Sequence, residues 1–391
     1  MTCKDYLTGA HSHDVPEGTI NIEVHNISTQ IKKNPNLNSD QLFDPEKHLS
    51  FKDEYFESTK KFTLKQLGIE KTHTTPINEF GATYPFPSST EEAVEIMKWE
   101  AFQKENVKKY GRLTNSDFSL QTNRLDFHIG GYVNKGKAPF TESFYAHPRV
   151  NEIFSRFIGI DVEKCYNYDT NHVNVALADS SLPTYESSEC SKENDQNNNR
   201  TERDVQSAAS ILGQHYDSTQ IAAVIMWECP IGSGGETIII RGDETPLVIP
   251  NNSEPGSCTL LQGRVIRHIA TKAESNSNRI ATVCGYCPAD RSILDTSVLT
   301  SVRPSILPRS SHDQFYSEWF EFRFKRLENC LNAKRDSLMK QFENGVQFDQ
   351  SAMINFVKEC ENYLQESWKE MEVVCNEPFP PPLFLTPYDD S

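Results

Sequence analysis

Apolar positions divide the chain into segments of different period. Over 88–109, SSTEEAVEIMKWEAFQKENVKK, the residues Val94, Met97, Ala101 and Phe102 fall at helical spacing. Ser88, Ser89 and Thr90 offer caps ahead of Glu91 and Glu92, so the pattern predicts a helix. A second amphipathic helix is predicted over 147–159, with Pro148 in its first turn and Gly159 at its end. From 311 to 374 the period is again helical, and two helices should part at Asn344-Gly345. Strand patterns fill 160–178 and 211–288. In the second region, ILGQHYDSTQIAAVIMWEC reads as a strand pair or one long strand, and Gly232, Gly234 and Gly235 make a turn. ETIIIRG, TPLVIP, CTLLQGRVIRHIA and NRIATVCGYC follow. Short strands parted by Gly, Pro and Asn turns indicate a sandwich or jelly roll. Nearer the N-terminus, Ile20, Ile22 and Val24 approach strand alternation, and KFTLKQLGIE (61–70) reads as a short helix.

These runs suggest three regions. Residues 1–75 form a polar N-terminal extension wrapping the core. Residues 76–300 form the core, with 179–206 as a disordered insertion, because that stretch is nearly devoid of apolar side chains. Residues 301–391 form a helical C-terminal region ending in a proline-rich tail. The expected fold is mainly β with α: a double-stranded β-helix (jelly roll) core with flanking helices and a C-terminal helical pair.

Composition narrows the partners. The 391-residue chain carries a formal net charge of −16, which opposes nucleic acid and anionic membrane surfaces. It has no apolar stretch of bilayer-spanning length, and its first residues are polar without a signal core. A cytoplasmic location is expected, with the nucleus equally compatible. The ten cysteines are scattered rather than framework-like, and Cys258 and Cys284 sit inside apolar strands. Cys284-Gly-Tyr-Cys287 has no second pair and reads as core packing rather than a zinc site.

Candidate chemistry lies in the β-rich region. His215 and Asp217 stand two apart, so on a strand they share a face. His268 arrives on a later strand. Two imidazoles and one carboxylate on one side of a metal leave the opposite positions open, an arrangement suited to Fe(II) oxygenases. Arg279 follows at strand-return distance, and a guanidinium grips a carboxylate in a planar, two-pronged geometry. These four residues fit a site for Fe(II), 2-oxoglutarate and O2. Asn174 shares a face with His172 and is a candidate contact for cosubstrate or substrate. Arg264 precedes His268 on the same face, where it meets either an anionic substrate or solvent.

The ordered segments GQHYDSTQIAAVIMWEC, GGETIIIRGD, GSCTLLQGRVIRHIATKA and NRIATVCGYCP resemble the fungal Fe(II)/2-oxoglutarate-dependent dioxygenase-like proteins. Upstream, YPFPSSTEEAVEIMKWEAF, HPRVNEIFSRFIGIDV and NHVNVALAD extend the resemblance to roughly 80–290. It implies that His215, Asp217 and His268 ligate iron and act catalytically, and that Arg279 anchors 2-oxoglutarate. Gln214, Thr219-Gln220 and Ile269-Ala270 depart from the family pattern at positions that are not ligands. The expected function is hydroxylation or desaturation of a small-molecule substrate, with decarboxylation of 2-oxoglutarate to succinate. A peptide or protein hydroxylase and a non-catalytic jelly-roll interaction protein are the alternatives.

Overall fold

The computed structural model describes residues 15, 17–31, 37, 41–113, 126–134, 136–178, 214–251, 254–274, 276–299 and 309–371. The expected insertion over 179–206 and the proline-rich tail lie outside the described residues.

The first helix, α1, runs through Glu17–Thr19, a π-helical turn Ile20–Val24 and His25–Ile31. This corrects the strand expected there. Ile20, Val24, Ile27 and Ile31 are buried at spacings of four and three, while Ile22 stays exposed. The stripe joins the main hydrophobic core, so this part of the N-terminal region packs inward. A second correction falls on 61–70. Lys61–Thr63 is strand β1, followed by a turn with Gly68 at φ +70°. Gln66 bonds the Thr63 backbone through its side chain, and Thr63 returns the bond to Gln66 N–H. This local bonding competes with helix formation.

Strands β2 (Phe80–Thr83) and β3 (Phe86–Pro87) lead into α2 (Glu91–Ala101). Thr90 caps α2 by accepting from Ala93 N–H. The single helix expected over 88–109 is broken at Phe102-Gln103, and α3 (Lys104–Tyr110) resumes beyond. Strands β4 (Gly111–Leu113) and β5 (Asp126–Ile129) come next. Helix α4 (Pro139–Ala146) then starts against Glu100 of α2. The Glu100 carboxylate accepts from the Phe140 and Thr141 N–H groups at 2.9 Å each and from Thr141 Oγ1 at 2.6 Å. Helix α5 (Pro148–Ile158) ends at Gly159 with φ +87°, as its sequence indicated.

Strands β6 (Val162–Lys164), β7 (His172–Ala176), β8 (Ile221–Glu228), β9 (Thr237–Ile240), β10 (Pro246–Ile249), β11 (Ser257–Leu261), β12 (His268–Ala270) and β13 (Arg279–Pro288) complete the β region. They form two antiparallel sheets. The larger has the order β1-β2-β11-β8-β13-β7-β5-β4, with β3 beside β11 and β6 beside β13. The smaller is β10-β9-β12, extended by a bridge from His268 to His215.

Alternation along the large sheet separates two environments. Val173, Val175, Ala223, Ile225, Trp227, Leu260, Ile280 and Cys284 face the helices and form the main core. His172, Asn174, Ala222, Val224, Thr259, Arg279, Ala281 and Val283 face the small sheet. Both faces are enclosed, so these strands read as nearly continuous apolar runs.

The C-terminal pair, α6 (Arg309–Glu343) and α7 (Gln350–Trp368), parts near Gly345 at φ +66°. Phe315 and Trp319 pack with Tyr166, Tyr168 and Cys287. Arg323, fully buried, pairs with Asp295 at 3.2 Å and donates to the Ser297 and Tyr363 carbonyls. No helix among the described residues is long and apolar enough to cross a membrane.

Candidate metal and cosubstrate site

Chain geometry brings His215, Asp217 and His268 together. The segment before β8 pairs with the chain before and within β12: His215 and His268 exchange backbone hydrogen bonds, and Asp217 N–H donates to the Gly263 carbonyl. The three side chains offer ligand atoms that all lie within 4.8 Å of one another. Nε2 of His215 and Nε2 of His268 each stand 3.5 Å from Oδ1 of Asp217. Ligand atoms about 2.1 Å from a shared ion stand about 3 Å apart when they meet at right angles. The two His–Asp spacings of 3.5 Å need only a small contraction to meet that value.

Two details bear on whether these residues fit a metal. The ring Nδ1 of His268 lies 2.9 Å from the Ile266 carbonyl. With the Nδ1 proton directed to that carbonyl, Nε2 is the nitrogen left to face Asp217; Asp217 favours a proton there in the metal-free site, and a metal ion would take that proton's place. The second is that Oδ2 of Asp217 is buried with no hydrogen-bond partner. A cation between the three side chains would meet Oδ1, which faces both imidazoles, and would offset the charge of a carboxylate whose other oxygen is buried without a partner against Gly263. The residues fit. Burial pushes the Asp217 carboxyl up, but the facing His268 and His215 imidazoles outweigh it and hold it well below the usual carboxylate range.

Gly263 makes room for the carboxylate. A Cβ there would fall inside the van der Waals envelope of Asp217 Oδ2. No local pattern in the chain announces this constraint.

The three residues line a cavity of about 130 Å³ between the sheets. Arg279 lies at the start of β13, fully buried, on the cavity face. Its Nε donates to the Gly235 carbonyl at 3.2 Å, which fixes the guanidinium against the glycine turn. Gly235 sits at φ +78°, and a Cβ there would crowd Cys229 and Arg279. Asn174 pairs in register with Ala281 and with His128 and also lines the cavity, its amide oxygen bonded to the His128 ring. Arg264, in contrast, turns to the rim, with Nε on the Thr296 carbonyl and Nη1 beside His73.

Sequence reasoning singled out the strand face of His172 and Asn174 but missed His128 and Asp169, which line the same cavity. His128 and His172 stack loosely, with ring centroids 5.1 Å apart. Burial and the His128 neighbour push His172 down to about 3, so it is neutral at physiological pH. Asp169 lines the cavity from the 3₁₀ turn Asn167–Asp169, and burial, with the Asp217 charge behind it, pushes its carboxyl up to about 8. Beyond Arg279, Lys272 forms a buried ion pair with Asp126, which stands on the same rung as Ala176 and Arg279. A single aspartate in YNYDTNH and a lysine after β12 carry no distinguishing spacing.

The sequence matches no family model and no curated protein. Among solved structures it is similar to a 2OG-Fe(II) oxygenase family oxidoreductase from Burkholderia pseudomallei. The identity is 12%, covering 41% of this chain and 68% of that one, with a TM-score of 0.28. A full-length Neurospora crassa protein solved in complex with alpha-KG is 10% identical over 43% of this chain and 59% of that one, with a TM-score of 0.26. Prolyl 4-hydroxylases from Phytophthora capsici are represented at 11% identity, covering 62% of this chain and 77% of that one, with a TM-score of 0.25. These likenesses are distant, and the functional reading rests on the site itself.

Proposed function

We propose that the protein is an Fe(II)- and 2-oxoglutarate-dependent oxygenase acting on a small molecule. The observation that carries this reading is the convergence of His215, Asp217 and His268, with Arg279 on the same cavity wall. The winding supports a jelly-roll assignment. From β7 the chain passes from the large sheet to the His215 segment of the small sheet, then β8, then β9 and β10, then β11, β12 and β13, changing sheets each time. The metal triad belongs to the small sheet and its approach, and Arg279 to the large one.

His215, Asp217 and His268 would hold Fe(II). Bound there with 2-oxoglutarate and O2, it would supply an oxidation coupled to decarboxylation of the cosubstrate to succinate. The residues then have separate tasks. Arg279 binds the distal carboxylate of 2-oxoglutarate, held in orientation by Gly235. Ile266 sets the His268 tautomer. Asn174, fixed by His128, borders the same cavity and offers its amide to cosubstrate or substrate. The apolar walls, Ala222, Val224, Ile239, Leu261 and Val283, exclude water from the reacting end.

Anaerobic titration of the apo-protein with Fe(II) and then 2-oxoglutarate tests the reading. A visible charge-transfer band that needs both components and is absent in His215→Ala is expected. No band at saturating concentrations would favour a non-catalytic scaffold.

A further inference from the structure

The cavity face of β13 presents Arg279, Ala281 and Val283, and alternation continues it to Gly285. At about 3.3 Å per residue, Gly285 lies roughly 20 Å along the strand from Arg279. If Arg279 marks the cosubstrate end, the opposite end is where a substrate meets the metal.

That end is built around a carboxylate. A Cβ on Gly285 would collide with Asp169 Oδ2 and lie 2.6 Å from Thr219 Oγ1. The glycine therefore opens a cradle in which these two side chains converge. Thr219 is buried and stands two residues beyond Asp217. Asp169 is half-buried, and its carboxylate has no hydrogen-bonding or ionic partner among the described residues. Removing a carboxylate from water costs several kcal/mol unless something compensates it. No protein cation among the described residues acts on Asp169: Lys164, which pairs with Tyr286 next to Gly285, gives its ammonium to the Asn167 side chain, Arg279 lies at the other end, and Lys272 is paired with Asp126. A cation in the cradle would supply the compensation and hold Asp169 in its ionised form.

Charge balance gives the direction. A divalent metal, the Asp217 carboxylate, a dianionic cosubstrate and the Arg279 guanidinium cancel. That balance leaves no net positive charge at the substrate end, so a cation entering the cradle is neutralised by Asp169 alone, whose carboxyl ionises as the cation docks, in a cavity of low dielectric where the pairing acts strongly. We propose that Asp169 and Thr219 form the substrate subsite, and that the substrate presents a protonated amine to them. This rests on the metal-site reading above.

Protein loaded with Mn(II) and 2-oxoglutarate tests the idea, with metal uptake followed by the electron-spin resonance of free Mn(II). Butylammonium, butanol and butanoate are then added separately, and paramagnetic broadening of their proton NMR lines reports approach to the metal. Butylammonium should broaden at a concentration at least tenfold below butanol, with butanoate weakest. Asp169→Asn, compared at equal metal and cosubstrate occupancy, should abolish the preference. Gly285→Ala keeps every charge but fills the cradle, and it too should weaken butylammonium. Equal broadening by amine and alcohol in loaded protein would overturn the inference alone. So would a preference that survives Asp169→Asn, since it would belong to the overall negative charge. A protein that takes up no Mn(II) would overturn the metal reading and this inference with it.

Discussion

Nε2 of His268 stands 3.5 Å from Oδ1 of Asp217, and Nδ1 on the other side of the ring is tied to the Ile266 carbonyl at 2.9 Å. The relationship fixes which nitrogen is free and what it faces. Oδ1 faces both imidazoles and Oδ2 is buried without a partner, so the Asp217 charge is left for a cation between the three side chains to offset. Asp217→Ala should therefore weaken Fe(II) or Co(II) binding by more than the roughly 10–100-fold that outer-shell substitutions cost. Calorimetric titration of the apo-protein with Co(II) measures it. Unchanged affinity would mean that the three side chains do not share an ion.

Gly263 offers a finer test of the same carboxylate. Its Cβ position coincides with Asp217 Oδ2, while its carbonyl accepts from Asp217 N–H. Gly263→Ala must displace the carboxylate from the two imidazoles. The expectation is a large loss of metal affinity with a smaller loss of thermal stability, seen by comparing Co(II) titration with a melting curve. A variant that binds Co(II) normally would show that the carboxylate has freedom to move.

Arg279 should act on the cosubstrate and not on the metal. Arg279→Lys keeps a charge but loses the planar fork and the bond to Gly235. Affinity for 2-oxoglutarate should fall by about 10–100-fold, the scale of a lost charge-assisted pair, with Co(II) affinity intact. Equal loss of both would point to collapse of the cavity instead.

The site was legible in the sequence to the extent that spacing encodes it. A His and an Asp two apart in extended chain share a side; here that chain is an irregular segment before β8, held beside His268 by the mutual backbone bonds of His215 and His268 rather than within a strand. Caps and breaks were legible for the same local reason: Thr90, Gly159 and Gly345 act through their own backbone. What escaped depends on tertiary contact. Ile20, Ile22 and Val24 fit strand alternation locally. Only packing onto α2 and α3 selects the helical stripe through Ile27 and Ile31. Asp169 and His128 acquire their significance from the cavity they line, and Lys272 from its buried pair with Asp126, so no local pattern announces them.

Buried Arg323 anchors the C-terminal helices. It meets Asp295 at 3.2 Å, the Ser367 hydroxyl at 2.8 Å and the ring of Tyr363 at 3.3 Å from its centroid. Burial pushes the Asp295 carboxyl up, but Arg323 and the Tyr363 hydroxyl more than offset it and hold it below the usual range. Arg323→Met would leave that carboxylate buried without its ion-pair partner, held only by the Tyr363 hydroxyl and the Ser297 N–H. The expected cost is about 3–5 kcal/mol in urea unfolding. A loss below about 1 kcal/mol would mean that Asp295 finds water or another donor.

Glu100 predicts a pH dependence of the opposite sense to ordinary acid unfolding. Burial pushes its carboxyl up to about 7 from an unfolded value of 4.5, against the bonds it receives from Thr141 and Phe140. The folded state therefore binds the proton more tightly than the unfolded chain does. The stabilisation from this group is fully present below pH 4.5 and is lost as pH rises through about 7. Its full span is on the order of 3–4 kcal/mol, since a tenfold difference in proton affinity between the two states is worth about 1.4 kcal/mol. Asp295 and Glu228, both held low, act in the opposite sense and only at more acid pH. Urea unfolding at pH 5.0 and 8.0 should show Glu100→Gln losing part of the wild-type fall in stability between the two values. An identical pH slope in the variant would place the titration elsewhere and leave Glu100 ionised within its ring of donors.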